Sequence, residues 1–305
     1  MAAVQPVSLS STAKFPLKHI LVATDFSECS QHALKQAAAI ARLHGSDVLV
    51  LHVIAPQPFI ENALEPPSWE LDDVRQQAQS QMASEETVEI LAGIQHQMLV
   101  EHGILEDVLS QLIEERKISL VVVGTHGRSG FTKLLLGSVA EEIFRTSKCA
   151  VMTISPWEPP YLLTHGRFES VLFATDFSHG SMDALPYAIG FAEESRARLT
   201  LLHVVEESSV TALYMHEQLV SEAKRRLEEM VTAHPGLSVI PEVEIVSGFP
   251  IDEILRAAHK RKTDLIVMGV HKSHGFGARA SAHLPWTIGH TVVSRAQCPV
   301  LTVPG

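Results

Sequence analysis

HILVATDFSECSQHALKQAAAIA, read from His19, returns as SVLFATDFSHGSMDALPYAIGFA from Ser170. The ATDFS core stands at Ala23 and again at Ala174, 151 positions on. His52 in LVLHVI keeps that distance to His203 in TLLHVV. Gly103 and Gly124 match Gly248 and Gly269 at an offset of 145, so the first copy carries six extra residues ahead of Gly103. Both copies close on an apolar run, CAVMTI from Cys149 and CPVLTV from Cys298. Period, order and ends agree. A period near 150 residues means duplicated domains rather than a solenoid of short repeats.

Within each copy, β-type and helical patterns alternate. HILVAT leads to Asp25, and a helix is expected from about Ser27 to Leu43. DVLVLHV is a continuous apolar run of the kind buried on both faces of a sheet. One long polar helix is expected over Trp69 to Leu91, then a weaker strand in HQMLVEHG and a helix in LEDVLSQLIEER. SLVVVG is a strong strand; a loop, a helix from Ser138 and the strand AVMTI complete the copy. Alternation of this kind predicts two tandem open parallel sheets, each with helices on both faces. Residues 1–14 read as a flexible tail, 15–155 as the first domain, 156–168 as a proline-bearing linker and 169–305 as the second domain.

Composition narrows the function. Of 305 residues, 46% are hydrophobic, enough for real cores. Acidic residues outnumber basic ones 35 to 24, for a formal charge of −11. No basic run is present, so a nucleic acid is not the expected partner. Cys29, Cys149 and Cys298 form no CxxC pair, which argues against a zinc ribbon or disulfide framework and for reduced thiols in a cytoplasmic protein. Residues 1–14 lack the charged start and apolar block of a signal peptide. No apolar run reaches the ~18 residues of a membrane helix, so no membrane role is expected.

The chemistry concentrates in VVVGTHGRSGFTKLLLGSVAEEIF. Gly124 ends a strand, Gly127 follows three residues later, and Gly137–Ser138 open a helix. Glycine lets backbone approach a ligand closely, and a helix start offers free N–H groups and a positive dipole end suited to phosphate. Ser138 and Glu141 form an S-x-x-E capping signature. Arg128 and Lys133, on the intervening loop, are candidates for added charge or merely solvated. Asp25 ends the first strand on the same sheet edge. Its carboxylate either meets a ribose or adenine or caps the next helix, and the residues leave both readings open.

Gly124, Gly127 and Gly137–Ser138, with residues 128–136 making nine between the last two glycines, form a G-x-x-G-(nine)-G-S pattern. That pattern, with ATDFS after the first strand and LHV in the second, resembles the universal stress protein family, twice over nearly the whole chain. The resemblance implies a Rossmann-like, adenine nucleotide α-hydrolase-like fold of five parallel strands per domain. It implies ATP, alone or with Mg2+, bound by Thr24, Asp25, the Val53 backbone, Gly124, Gly127, Arg128, Gly137, Ser138 and Val139. It also implies pairing of the two copies within the chain, with a homodimer as a further possibility.

The second copy departs from the pattern. It keeps Asp176 and Gly269, but Lys272 stands where Gly127 stood, and Trp286–Thr287 replace Gly137–Ser138. A degenerate site with weak or absent ATP binding is expected there. His271 and His274 lack metal-ligand spacing. His52 and His203, in apolar strands, read as satisfied structural histidines. GFGARA at Gly275 is half a dinucleotide fingerprint and is discounted. The reading is an ATP-binding regulatory protein of stress response. The rivals are a nucleotide-free scaffold and a slow ATPase. The loop expected of a nucleotidyl transferase is missing at TDFS.

Overall fold

A computed structural model describes residues 17–56, 68–125, 137–156, 167–206, 213–270 and 285–305. The chain divides into two compact units, one built on residues 17–166 and the other chiefly on 167–305.

The first unit runs β1 (His19–Ala23), α1 (Glu28–His44), β2 (Asp47–Ile54), α2 (Ser68–Met82), α3 (Glu85–Ile90), β3 (His96–His102), α4 (Leu105–Arg116), β4 (Leu120–Gly124), α5 (Ser138–Thr146) and β5 (Ala150–Ile154). All pairings are parallel, in the order β3-β2-β1-β4-β5. The chain leaves β1 toward one neighbour and returns at β4 on the other side. Strand order therefore reverses between β1 and β4, and their carboxyl ends flank the crevice where sheets of this kind take ligands. Ala23 is in register with Val123, so Thr24 and Asp25 emerge beside Gly124 and Thr125.

The core explains why these elements form. Ile20, Leu21, Val22 and Leu120 to Val122 are fully buried, as expected of central parallel strands. Helix α1 buries Ala33, Ala37, Ala38 and Ala41 with Ile40, and these small residues let the helix lie close on the sheet. It stops at Gly45, whose φ of 68° suits a residue without Cβ. One expectation is corrected: the polar helix over Trp69 to Leu91 is two helices. The Oγ of Ser84 accepts from the Thr87 N–H at 3.3 Å, capping a new helix and ending the old one.

The second unit repeats the plan with β6 (Ser170–Ala174), α6 (His179–Ser195), β7 (Arg198–Glu206), α7 (Leu213–Thr232), β8 (Glu242–Gly248), α8 (Pro250–Arg261), β9 (Leu265–Val270), α9 (Pro285–Arg295) and β10 (Val300–Pro304). Its parallel order is β10-β9-β6-β7-β8. Phe168, assigned from sequence to the linker, is buried and meets Phe191 edge-on at 5.4 Å, so it belongs to this core.

Candidate nucleotide site

The turn after β1 is held by its own side chains. Thr24 Oγ1 accepts from the Phe26 N–H at 3.0 Å. Phe26 has φ 66°, a left-handed conformation that a bulky residue adopts only under constraint. Asp25 Oδ1 accepts from the Ser27 N–H at 3.1 Å and from Ser27 Oγ at 2.6 Å. Ser27, in turn, caps α1 by accepting from the Ser30 N–H. Asp25 is thus not the helix cap; it orients the residue that is. From the neighbouring strand, His52 Nδ1 sits 2.8 Å from the Thr24 carbonyl oxygen, and its ring lies 4.5 Å from that of Phe26. His52 is a satisfied histidine that pins the turn. Val53, half-buried, follows it at the carboxyl end of β2.

Gly124 has a structural reason to be glycine. A Cβ there would lie 2.8 Å from the Cys29 carbonyl carbon and 2.9 Å from its Sγ, where β4 meets the start of α1. Beyond it, the Thr125 N–H donates to the Ile154 carbonyl at 2.8 Å, and the Gly137 N–H donates to the Thr125 carbonyl at 2.7 Å. This second bond joins the two ends of the glycine loop. Gly127, Arg128 and Lys133 lie within that loop, outside the described residues.

Helix α5 begins at Ser138 with Gly137 as its cap. The capping box expected of Ser138 and Glu141 is therefore displaced by one residue. Ser138 is the first helical position, and the cap has no side chain to spend on first-turn N–H groups. The first intrahelical bond runs from the Glu141 N–H to the Gly137 carbonyl at 2.8 Å. The N–H groups of Ser138, Val139 and Ala140 precede it, and Val139 is exposed. An uncapped helix start beside a crevice presents donors and a positive dipole end to an anion.

The second unit repeats the turn closely. Thr175 Oγ1 accepts from the Phe177 N–H at 2.9 Å, Phe177 has φ 63°, and Asp176 Oδ1 accepts from the Ser178 N–H at 2.9 Å. His203 Nδ1 is 2.8 Å from the Thr175 carbonyl oxygen, and its ring is 4.4 Å from Phe177. Here the Arg226 guanidinium also lies over the Phe177 ring, at 4.1 Å from its centroid. Burial holds the His203 imidazole below its ordinary value; Arg226 pushes the same way, while the Thr175 hydrogen bond and Asp176 push back. Gly269 is more tightly packed than Gly124: a Cβ would come within 2.2 Å of the Gly180 backbone.

The carboxyl ends of β6, β7 and β9 border a cleft of about 160 Å³. Leu202, Val204, Met268, Ile254 and Ile288 give it apolar walls, and Asp176 and Glu206 carry carboxylates at it. Sequence reasoning missed these walls, because each residue reads as ordinary core. It also missed Glu206, which stands where the first copy has Ala55. Trp286 and Thr287 do not form a loop-to-helix junction. They lie in the first turn of α9, which starts at Pro285. Counted back from the matched Cys149 and Cys298, α9 starts two residues earlier than α5. Lys272, His271, His274 and Gly275 lie outside the described residues.

Among the described residues, no group of three or more His, Cys, Asp or Glu side chains could hold a metal ion, and no helix is long and apolar enough to cross a membrane. None of the three cysteines is in a disulfide.

The model of the Universal stress protein family matches residues 16–155 and, a second time, 167–304. Universal stress protein Rv2623 of Mycobacterium tuberculosis (strain H37Rv) is 26% identical over 299 residues, 92% of this chain and 95% of that protein. A single-domain universal stress protein of Thermus aquaticus is 37% identical over 142 residues, covering 45% of this chain and 98% of its own length. The crystal structure of a universal stress protein from Archaeoglobus fulgidus matches with a TM-score of 0.70 at 23% identity, covering 95% of this chain and 99% of its own, which shows a common fold.

Proposed function

Because this chain belongs to the universal stress protein family, we propose that it is an ATP-binding regulatory protein of the stress response, with the nucleotide held by the first unit. The observation that carries this reading is the start of α5. Its cap is glycine, it follows a loop closed by the Gly137–Thr125 bond, and it lies across the β1–β4 switch point from Asp25.

The residues present fit an adenine nucleotide. Asp25 and Thr24, with the Val53 backbone, would receive the adenosine end. Gly127, Arg128 and the backbone of Gly137, Ser138 and Val139 would receive the phosphates, with or without Mg2+. Binding would stabilise the first unit by mass action and bias its contacts with partners. No residue in this reading serves as a general base, so it assigns binding without fast hydrolysis. Adenine nucleotide, the second unit of the same chain and a second copy of the chain are the proposed partners, and the cytoplasm is the proposed compartment.

The experiment is to purify the protein without added nucleotide, denature it, and identify the released small molecules by mass spectrometry. Intact ATP at about one per chain is the expected result. Titration of Gly127→Val should then show no ATP binding by a folded protein, since a branched side chain would intrude on the phosphates. Absence of nucleotide together with absence of binding on titration would favour a scaffold without ligand.

A further inference from the structure

We propose that the first unit holds a further ligand site, apart from the nucleotide crevice, which takes a guanidinium group against Phe26. The proposal does not depend on ATP occupying the first unit. A cavity of about 280 Å³ lies beside the turn after β1. It is bordered by Phe26, by Gln31 and Leu34 of α1, by Val50 of β2, and by Gln81 and Thr87 where α2 gives way to α3. Of the residues proposed to hold ATP, only Thr24 borders it. Its size is close to the ~300 Å³ at which small-ligand pockets begin.

The internal repeat identifies the chemistry that fits there. The offset of 145 that aligns Gly103 with Gly248 also aligns Ala78 and Met82 of α2 with Ala223 and Leu227 of α7, and all four are buried. In that alignment Gln81 stands where the second unit has Arg226. The two turns are otherwise alike: Phe26 and Phe177 have φ of 66° and 63°, with a histidine ring at 4.5 and 4.4 Å. In the second unit the Arg226 guanidinium lies over the phenylalanine ring. A planar cation is drawn to an aromatic face by the ring quadrupole. In the first unit the shorter, uncharged Gln81 borders a cavity at the matching place, and Ser84 caps a new helix beside it. The side-chain amides of Gln31 and Gln81 make no hydrogen bond among the described residues, so their oxygens can accept from guanidinium N–H groups. No Lys or Arg borders the cavity to repel a cation. No carboxylate borders it either, so the expected Kd is on the order of 1 mM.

The test titrates the full, nucleotide-stripped chain with butylguanidinium and follows backbone amide signals by NMR. Those of Phe26, Gln31 and Gln81 should shift saturably. Butylammonium, which has the charge without the plane, and butylurea, which has the plane without the charge, should each bind about fivefold more weakly or worse. Gln81→Arg rebuilds the arrangement of the second unit at an exposed position, so it should keep the fold by circular dichroism and abolish the butylguanidinium response. Phe26→Leu should weaken that response about fivefold or more through loss of the ring. An acetylated, amidated Ala-Arg-Ala peptide separates two sources of the group: a comparable response supports an arginine side chain of another protein, and no response supports a free small molecule. No saturable shift with butylguanidinium, an equal response to butylammonium or butylurea, or an unchanged affinity in folded Gln81→Arg would overturn the proposal. Failure of ATP to bind the first unit would leave these outcomes unaffected.

Discussion

Gly124 faces Cys29 so closely that a Cβ on the glycine would sit 2.8 Å from the cysteine carbonyl carbon. The glycine is therefore required by the packing of β4 on α1, whatever the ligand. Gly124→Ala should lower stability by about 1–3 kcal/mol, the usual result of overpacking. Gly269→Ala should lower it further, because its obstacle is backbone at 2.2 Å. Denaturant melts of the ligand-free protein check both. A wild-type midpoint for Gly124→Ala would remove the packing argument.

Ser138→Pro separates helix formation from anion binding. Ser138 is the first helical position, where proline is well tolerated, and Gly137 before it has φ −61° and ψ 149°, as a residue preceding proline prefers. The variant should melt close to the wild type. It should bind ATP about 10- to 100-fold more weakly, because one donor to a charged phosphate is gone. Unchanged ATP affinity would mean that the phosphates do not meet this helix start.

Asp25→Ala tests the two roles that the carboxylate can hold. Losing its bonds to Ser27 should cost about 1 kcal/mol of stability through the weakened helix cap. If Asp25 also meets the ligand, ATP affinity should fall further in Asp25→Ala than in Ser27→Ala, which damages the cap and one hydrogen bond to Asp25 but keeps the carboxylate. Equal affinity losses in the two variants would reduce Asp25 to a structural residue.

Stability should decline on acidification. The folded chain holds His203 below the ordinary histidine value of 6.5, chiefly through burial, and His44 likewise. Above that value both folded and unfolded states are neutral at these sites and the effect vanishes. As pH falls below 6.5, the unfolded chain takes up protons that the folded chain refuses, and stability drops until the lower folded values are reached. His203→Gln should flatten part of this dependence in melts run between pH 7 and pH 5.

Gln36 is fully buried in α1, and neither atom of its amide has a hydrogen-bond partner among the described residues. A buried polar group left unpaired opposes folding, so Gln36→Met, similar in volume, should raise stability by about 1–2 kcal/mol. A destabilised variant would show that the amide is satisfied in solution.

The fold was legible because the chain is written twice. ATDFS and LHV align the copies, and apolar runs such as LVVVG read as buried parallel strands in both. Apart from the linker boundary at Phe168, what the sequence left open or misplaced lies at helix starts. Asp25 resembles a cap, but its carboxylate turns onto Ser27, which takes the position. Ser138 begins a capping signature, yet Gly137 precedes it with a backbone that suits a cap, and one residue of displacement exchanges a closed helix start for an open one. Ser84 breaks a helix that propensity alone would continue. At the second site the substituted residues were visible, but their consequence was not. Helix α9 starts at Pro285, and Glu206 joins Asp176 in lining one cleft only through the fold.

The hydrogen bond between Gly137 and Thr125 has an engineering consequence. It brings the two ends of the intervening segment together independently of what lies between them. Closing a longer segment across ends already held costs only ~0.6 kcal/mol per doubling of length. A reporter domain with neighbouring termini, spliced between those residues, would leave the sheet intact, and its signal would read out the phosphate contact proposed for the segment.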